Sequence, residues 1–419
     1  MTRFASRQRH TIRQVVLGAA LLLMFFTFAQ SVSAEATLGL PEAHGVLMQK
    51  GRLSLAEGNP EKSLAYFSKA WRLAPTDPRA QLAMAEAWAQ DGQLRRAEAF
   101  LRHLLRDSAQ RANADLYIAA LAELARRYPV QFSSSFALLP STNIRNASSE
   151  SYFDTLLGRF SIEDGGEEAS GIGVEVGAQL LYRRPLRNGL SLELGSVLRR
   201  VWYGEPELRY WRGRLSADLK SEGQARSFRA GLHADRTYFS DVEGASPDRV
   251  STGLHGAWSH RLSENETLSA SGVIEYRDYF DKDTLSGRYG SLGLSWSKRI
   301  NSSGVLTLGG TLERSTPSLA YHRYWGGSLQ AGYNFDLSET LRAGVDFGAT
   351  LRQYDTDFAS VDFARRDEIY RIGVSLSSSR IKIMGSTPKL SCGYKVQTSN
   401  IALYSSETTD CRIGWSYRF

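Results

Sequence analysis

The chain has 419 residues, with 51 lysines and arginines against 44 aspartates and glutamates, a net charge of +7. With 42% hydrophobic residues and a mean hydropathy of −0.32, it is no bundle of membrane-spanning helices, and its length allows two or three domains. Arg3, Arg7, Arg9 and Arg13 account for much of the basic excess: without them 47 basic residues face 44 acidic ones. The pI of about 9.3 therefore gives no support to nucleic-acid binding.

The one long apolar run, Val15 to Ala29, follows those arginines. It is shorter than the ~20 residues a membrane-spanning helix needs. Val32 and Ala34 suit the small-residue positions of a signal-peptidase site, so residues 1–34 read as a secretory signal. The mature chain then starts near Glu35. Export permits a disulfide between the only two cysteines, Cys392 and Cys411.

Residues 35–129 carry a helical pattern. The grammar of the segment from His44 to Pro78 returns 34 residues later. Gly51 maps to Ala85, Ser54 to Trp88, Gly58 to Gly92, Ser63 to Ala97 and Phe67 to Leu101. This resembles the tetratricopeptide repeat. The helix ADLYIAALAELARRYP (114–129) reads as the cap over the last apolar face. Repeats of this kind hold a peptide or partner on a concave surface. Repeat geometry puts Arg52, Arg79 and Glu86 in that groove as candidate client-binding residues, although each taken alone is more often an ordinary solvated charge.

From Val130 the period changes to two. In 341–352, Leu341, Ala343, Val345, Phe347, Ala349 and Leu351 share one face, while Arg342, Asp346, Thr350 and Arg352 share the other. About fourteen such segments begin near Val130, Ser170, Leu190, Arg209, Ser227, Arg249, Thr267, Arg288, Val305, Arg323, Thr340, Glu368, Lys389 and Thr409. Short turns such as RNG and NSSG alternate with longer links such as 140–169. That asymmetry predicts an antiparallel outer-membrane β-barrel over 130–419, apolar outside and polar inside. An even strand number puts both of its ends in the periplasm, together with the repeat domain.

The chain closes on GWSYRF. Trp415, Tyr417 and Phe419 fall on one face, as in an aromatic girdle at a membrane interface. With Gly414 they resemble the C-terminal signal read by the bacterial barrel-assembly machinery. Cys392 shares parity with Leu390 and Tyr394, and Cys411 with Ile413 and Trp415, so both should point towards lipid. Pairing them implies a hairpin centred near residue 401 and a cross-strand disulfide; two free thiols are the alternative.

Chemistry is not advertised. The seven histidines are scattered, none paired at metal-ligand spacing, and there is no C-x-x-C. Catalytic residues, cofactor and metal are all expected to be none. GIGVEVG (171–177) is explained by alternation, with Gly171, Gly173 and Gly177 on the lumen side. His233 and His255 could face the lumen, with Asp235 near His233. The lumen reads as mixed charge: Glu175, Glu193, Asp218, Asp235, Glu275 and Asp346 against Arg199, Arg212, Arg214, Arg229, Arg277, Arg342 and Arg371. A simple ion pore would be more one-sided.

A signal, a short tetratricopeptide domain and a C-terminal barrel of about fourteen strands together resemble the surface lipoprotein assembly modifiers. The stretch FALLPSTNIRNAS (136–148) resembles the way family barrels open. The resemblance implies a non-enzymatic outer-membrane factor that delivers particular lipoproteins to the cell surface. The repeats would hold the client and the barrel would aid its passage. Its partners would be that client, the barrel-assembly machinery and outer-membrane lipid, with no nucleic acid and no cofactor. Polysaccharide export through a scaffolded barrel, or a channel with an accessory domain, stay open as alternatives.

Overall fold

The computed structural model describes residues 42–156, 158–161, 168–187, 189–239, 242, 245–359, 361–383 and 385–418. The expected signal at 1–34 lies outside them, as does Phe419 of the expected assembly signal. The chain divides into two compact units between Leu101 and Arg102.

The first unit holds α1 (Glu42–Ala56), α2 (Pro60–Leu73), α3 (Pro78–Gln90) and the start of α4 (Leu94–Arg106). The 34-residue register is its packing rule. Gly51, Ser54, Ser63, Phe67, Ala85, Trp88, Ala97 and Leu101 are all buried. Gly51 has no side chain because the Phe67 ring fills the place a Cβ would take. Gly58 and Gly92 end α1 and α3 with the same left-handed φ of +76°, a conformation costing other residues ~1–2 kcal/mol. Proline opens both α2 and α3, where its missing N–H is not needed. Trp71 and Trp88 set their rings edge-on to Phe100, at 5.7 and 5.1 Å. The buried positions of these helices follow the 34-residue register read from the sequence.

The second unit begins at Arg102. The sequence reading starts the barrel at residue 130. By packing, residues 102–129 group with the strands, since α5 (Ala114–Arg127) lies against β4. Tyr117 of α5 is fully buried and donates its hydroxyl to Gln110 Oε1 at 2.9 Å.

The barrel strands are β1 (Val130–Ser141), β4 (Gly171–Pro185), β5 (Leu190–Trp202), β6 (Tyr210–Glu222), β7 (Arg226–Phe239), β8 (Arg249–Arg261) and β9 (Glu266–Tyr279). They continue with β10 (Gly287–Arg299), β11 (Gly304–Pro317), β12 (Tyr324–Asp336), β13 (Leu341–Asp357), β14 (Ala364–Ser378), β15 (Lys389–Ser399) and β16 (Ser406–Arg418). These fourteen close into one antiparallel barrel, each next to its sequence neighbour, with β1 between β4 and β16. Every strand starts within four residues of the place where alternation put it. The link 142–170 also holds a small hairpin, β2 (Tyr152–Thr155) with β3 (Gly158–Ser161), which was not anticipated. Its strands are too short to leave a periodic signal.

The outer face is apolar. Leu215, Ile274, Leu292, Leu312 and Leu329 stand more than 60% exposed. In water each would forgo ~1.5–3 kcal/mol of burial; a continuous band of them requires lipid. The closed ladder satisfies the backbone without an edge. The seam β1–β16 is in register from Ser133↔Arg418 to Leu138↔Ile413 and again at Ser141↔Asp410. Between them, Leu139 and Pro140 pair with β4 alone among the described residues. Pro140 has no N–H to offer a second neighbour.

At one end most connections are tight turns, as expected. The connection 379–388 is longer and folds on itself through an isolated bridge between Ile383 and Ser386, with Gly385 at φ +80°. At the other end four loops contain single 3-10 turns: Pro206–Leu208, Asp283–Leu285, Ala320–His322 and Ala402–Tyr404.

Candidate functional site in the repeat unit and the barrel interior

In the repeat unit, Asp77 organises two of the three candidate groove residues. Its carboxylate caps α3, accepting from the Arg79 backbone N–H at 3.0 Å, and takes the Arg79 guanidinium at 3.1 Å. The buried His44 Nε2 stands 3.3 Å away, without hydrogen-bond geometry. Arg52 on α1 joins this group. Burial first, then the neighbouring Arg79 charge, hold its guanidinium below the usual arginine range, with Asp77 opposing. Glu86 lies about two turns further along α3 and accepts from Gln90 Nε2 at 3.1 Å. Arg52 and Arg79 thus come together around Asp77, a residue that sequence reasoning passed over.

Inside the barrel, several lumen-parity carboxylates stand against basic side chains. Glu193 gathers Arg183 at 2.8 Å, Arg229 at 2.7 Å and Lys220 at 3.7 Å. Lys220 reaches Glu222 at 2.7 Å, and Arg102, ahead of α5, reaches the same carboxylate at 3.2 Å. Arg214 stands 3.4 Å from Asp235, and Arg412 at 2.7 Å from Glu175. Arg277 holds Glu275 at 2.7 Å and lies over the Tyr289 ring, 3.6 Å from its centroid. The Tyr289 hydroxyl donates to Glu313, which also takes Arg352 at 2.9 Å. Arg342, expected in the lumen set, pairs instead with Asp336 beside the turn. Arg352 takes the polar face that alternation gave it; Arg183, Arg412, Glu313 and Tyr289 were missed, although their parity marks them as lumenal.

Two histidines expected to face the lumen do so as part of one cluster. His233 Nε2 lies 2.9 Å from Glu275 Oε2 and 3.7 Å from Asp235 Oδ2. His233 Nδ1 meets His255 Nδ1 at 3.2 Å, and His255 Nε2 meets Asp218 Oδ1 at 2.5 Å. Donor atoms of His233, Asp235 and Glu275 all lie within 4.8 Å of one another. His233 and Asp235 share β7, as their spacing suggested, but Glu275 comes from β9, and sequence spacing could not bring it in.

The loop end of the barrel is furnished with arginines. Arg209 and Arg323 follow the 3-10 turns of their loops and bond the two carbonyls that open each loop, at 2.8–3.0 Å. The buried pair Arg365–Asp367 (2.7 Å) sits with the Arg365 guanidinium 3.2 Å from the Tyr404 ring centroid. The link after β1 turns inward. Asn143 is 1% exposed; its side chain bonds Ala147 N–H and C=O and donates to Glu168. Arg145 pairs with Glu205 and Glu207 in the neighbouring loop, at 2.9 and 3.3 Å. Beside this loop a cavity of about 310 Å³ is lined by Leu139, Asn143, Tyr203, Asp346, Arg371 and Arg412, among others.

At the seam, Trp415 meets Phe136, Gly414 lies opposite Ala137, and Tyr417 is exposed on the outer face. Cys392 and Cys411 are directly paired across β15–β16, Cα atoms 4.1 Å apart, and are bonded. Their outward neighbours Leu390, Tyr394 and Ile413 are exposed.

The fold and its furnishings define an outer-membrane β-barrel preceded by tetratricopeptide helices. Residues 131–419 match the surface lipoprotein assembly modifier family, and residues 54–124 match the tetratricopeptide repeat. The chain belongs to the surface lipoprotein assembly modifier family. No curated protein sequence matches it. Among solved structures, the toluene transporter TodX of P. putida is similar at 9% identity and a TM-score of 0.39, covering 70% of this chain and 90% of that one. The outer membrane channel DcaP of Acinetobacter baumannii is similar at 8% identity and a TM-score of 0.39, covering 69% and 96%. A loop-deleted form of OmpT, an outer membrane protein of Vibrio cholerae, gives 6% and 0.38, covering 69% and 99%.

Proposed function

We propose that this protein delivers specific lipoproteins to the cell surface, its repeats holding the client in the periplasm and its barrel aiding passage across the outer membrane. The family match over the whole barrel carries this reading. The repeat unit supports it with a cationic cluster, Arg52 and Arg79 about Asp77, suited to an acidic stretch of client. The interior supports it differently. Many of its carboxylates and arginines are mutually engaged, which suits a structured wall more than a one-signed ion pore. The work of such a protein is binding and guidance, without covalent catalysis. Barrel insertion would depend on the barrel-assembly machinery and on outer-membrane lipid.

The test is surface labelling. The lipoprotein encoded beside this gene is expressed with and without the protein, and intact cells are labelled with an antibody to it. Labelling that appears only with the protein, at equal total lipoprotein, is the expected result. Deleting residues 35–129 should abolish it. Unchanged labelling with that client and with other lipoproteins of the same cell overturns the proposal.

A further inference from the structure

With both imidazoles neutral, the cluster around His233 has one positive charge too few. A carboxylate can only accept, so His255 must turn its Nε2–H to Asp218 Oδ1. A neutral His255 ring then has a bare Nδ1, which accepts from His233 Nδ1–H. That leaves the His233 Nε2 lone pair aimed at the Glu275 carboxylate, 2.9 Å away. Two lone pairs do not face each other at that distance without a positive centre beside them. Asp235 adds a second, independent mark. It is 94% buried by its 6% exposure, and its Oδ1 makes no hydrogen bond. Ser251 Oγ, on the residue facing Asp235 across β7–β8, is likewise buried and unbonded. Asp218, Asp235 and Glu275 bring three negative charges, and Arg214 and Arg277 return two.

The backbone clears space for this arrangement. His233, Gly253 and Glu275 form one row across β7, β8 and β9. A Cβ on Gly253 would run into Glu275. Asp218, Gly231 and His255 form a parallel row, and a Cβ on Gly231 would run into Asp218. In both rows a glycine stands between two chemistry-bearing side chains, letting them meet over the middle strand.

We propose that the barrel lumen carries a divalent transition-metal site, of the zinc class, formed by His233 Nε2 and the carboxylates of Asp235 and Glu275. One imidazole and two carboxylates suit such a cation, with a further position left for water. Ligands at about 2.0–2.2 Å in tetrahedral array stand roughly 3.4 Å apart; the His233 separations of 2.9 and 3.7 Å bracket that value. His255 and Asp218 complete the site from behind, fixing the His233 tautomer as an outer partner does in metal sites. The metal ties β7 to β9 across β8.

The experiment uses the mature, untagged chain, folded in detergent and stripped with chelator. It is titrated with cobalt, read by visible absorption, and then with zinc, read by calorimetry. One equivalent is expected to bind, with zinc displacing cobalt. His233→Gln and Glu275→Gln should each weaken binding by about 100-fold, and His255→Gln by about 10- to 100-fold. His260→Gln, outside the cluster, should change nothing. Heat-modifiable migration on gels shows that each variant is folded. If one ligand variant does not fold, the other and His255→Gln give the reading. Wild-type affinity no higher than that of the folded variants overturns the proposal. So does a metal-indifferent wild type in which the His233 or the His255 ring is doubly protonated by nitrogen NMR at neutral pH, since a proton would then supply the charge.

Discussion

Phe136 on the first barrel strand and Trp415 on the last face each other across the closing seam, ring centroids 4.7 Å apart. The pair joins residues 279 positions apart in sequence. It sits on the outward face, where no lumenal contact can substitute for it. Aromatic pairs add about 0.5–1.5 kcal/mol beyond burial. Phe136→Ala and Trp415→Ala should each lower the fraction of heat-modifiable, folded barrel. A double-mutant cycle on refolding should give a coupling energy in that range; additive losses would show the rings act separately.

Gly58 and Gly92 should be equivalent. Each sits at the same positive φ, one repeat apart. Alanine at either should destabilise the helical unit by about 1 kcal/mol, read by protease resistance of that unit in the full chain. Gly45 has no left-handed φ and no crowding, so Gly45→Ala should be neutral or stabilising.

Asp77 should matter to the repeat unit more than any single groove residue. Asp77→Ala removes the α3 cap and the Arg79 partner together, a loss of about 1–3 kcal/mol. Arg79→Ala keeps the cap and should lose less. If Arg79→Ala leaves stability near wild type but cuts lipoprotein labelling, the guanidinium serves the client. Equal losses of stability and labelling would assign it to structure.

His322, in the loop between β11 and β12, should make that loop sensitive to acid. Burial first, then the Arg365 charge, hold its imidazole below the ordinary value of 6.5. The closed loop therefore resists protonation that an opened loop accepts near pH 6.5. Loop stability is level above that pH, falls as pH drops through it, and levels off again below the lowered folded value. Opening of 318–323, read as hydrogen exchange corrected for its intrinsic pH dependence, should rise from pH 7.5 to pH 5.5, and His322→Gln should abolish the rise. A rise that persists in the variant would place the sensitivity elsewhere.

Cys392 and Cys411 should be unreactive to a maleimide after denaturation without reductant and both reactive with it. Because the strands they join are already laddered in register, Cys392→Ser should leave a folded barrel. Failure of that variant to migrate as a folded species would make the bond a requirement for assembly.

Periodicity made much of this protein legible. Alternation says which face a residue takes, and the 34-residue register says which helix positions pack. Neither says who stands opposite. Arg412 meets Glu175 across the seam, and Glu275 reaches His233 over an intervening strand; both depend on stagger between strands, which no local pattern encodes. Asp77 escaped notice for another reason: a short acidic cap looks like any turn residue until its three partners are in place. The four 3-10 turns and the β2–β3 hairpin are too brief to repeat anything.

The interrupted seam has a mechanical meaning. β16 leaves β1 unlatched at Leu139 and Pro140, and regains it at Ser141. Cys411 stands at that same level, and its covalent bond runs the other way, to β15. The last hairpin is thus hung like a door leaf, hinged on the β15 side and latched on the other by two separated catches. Sideways force on this wall would part it along β1, and the leaf that swung away would be β15 and β16 together.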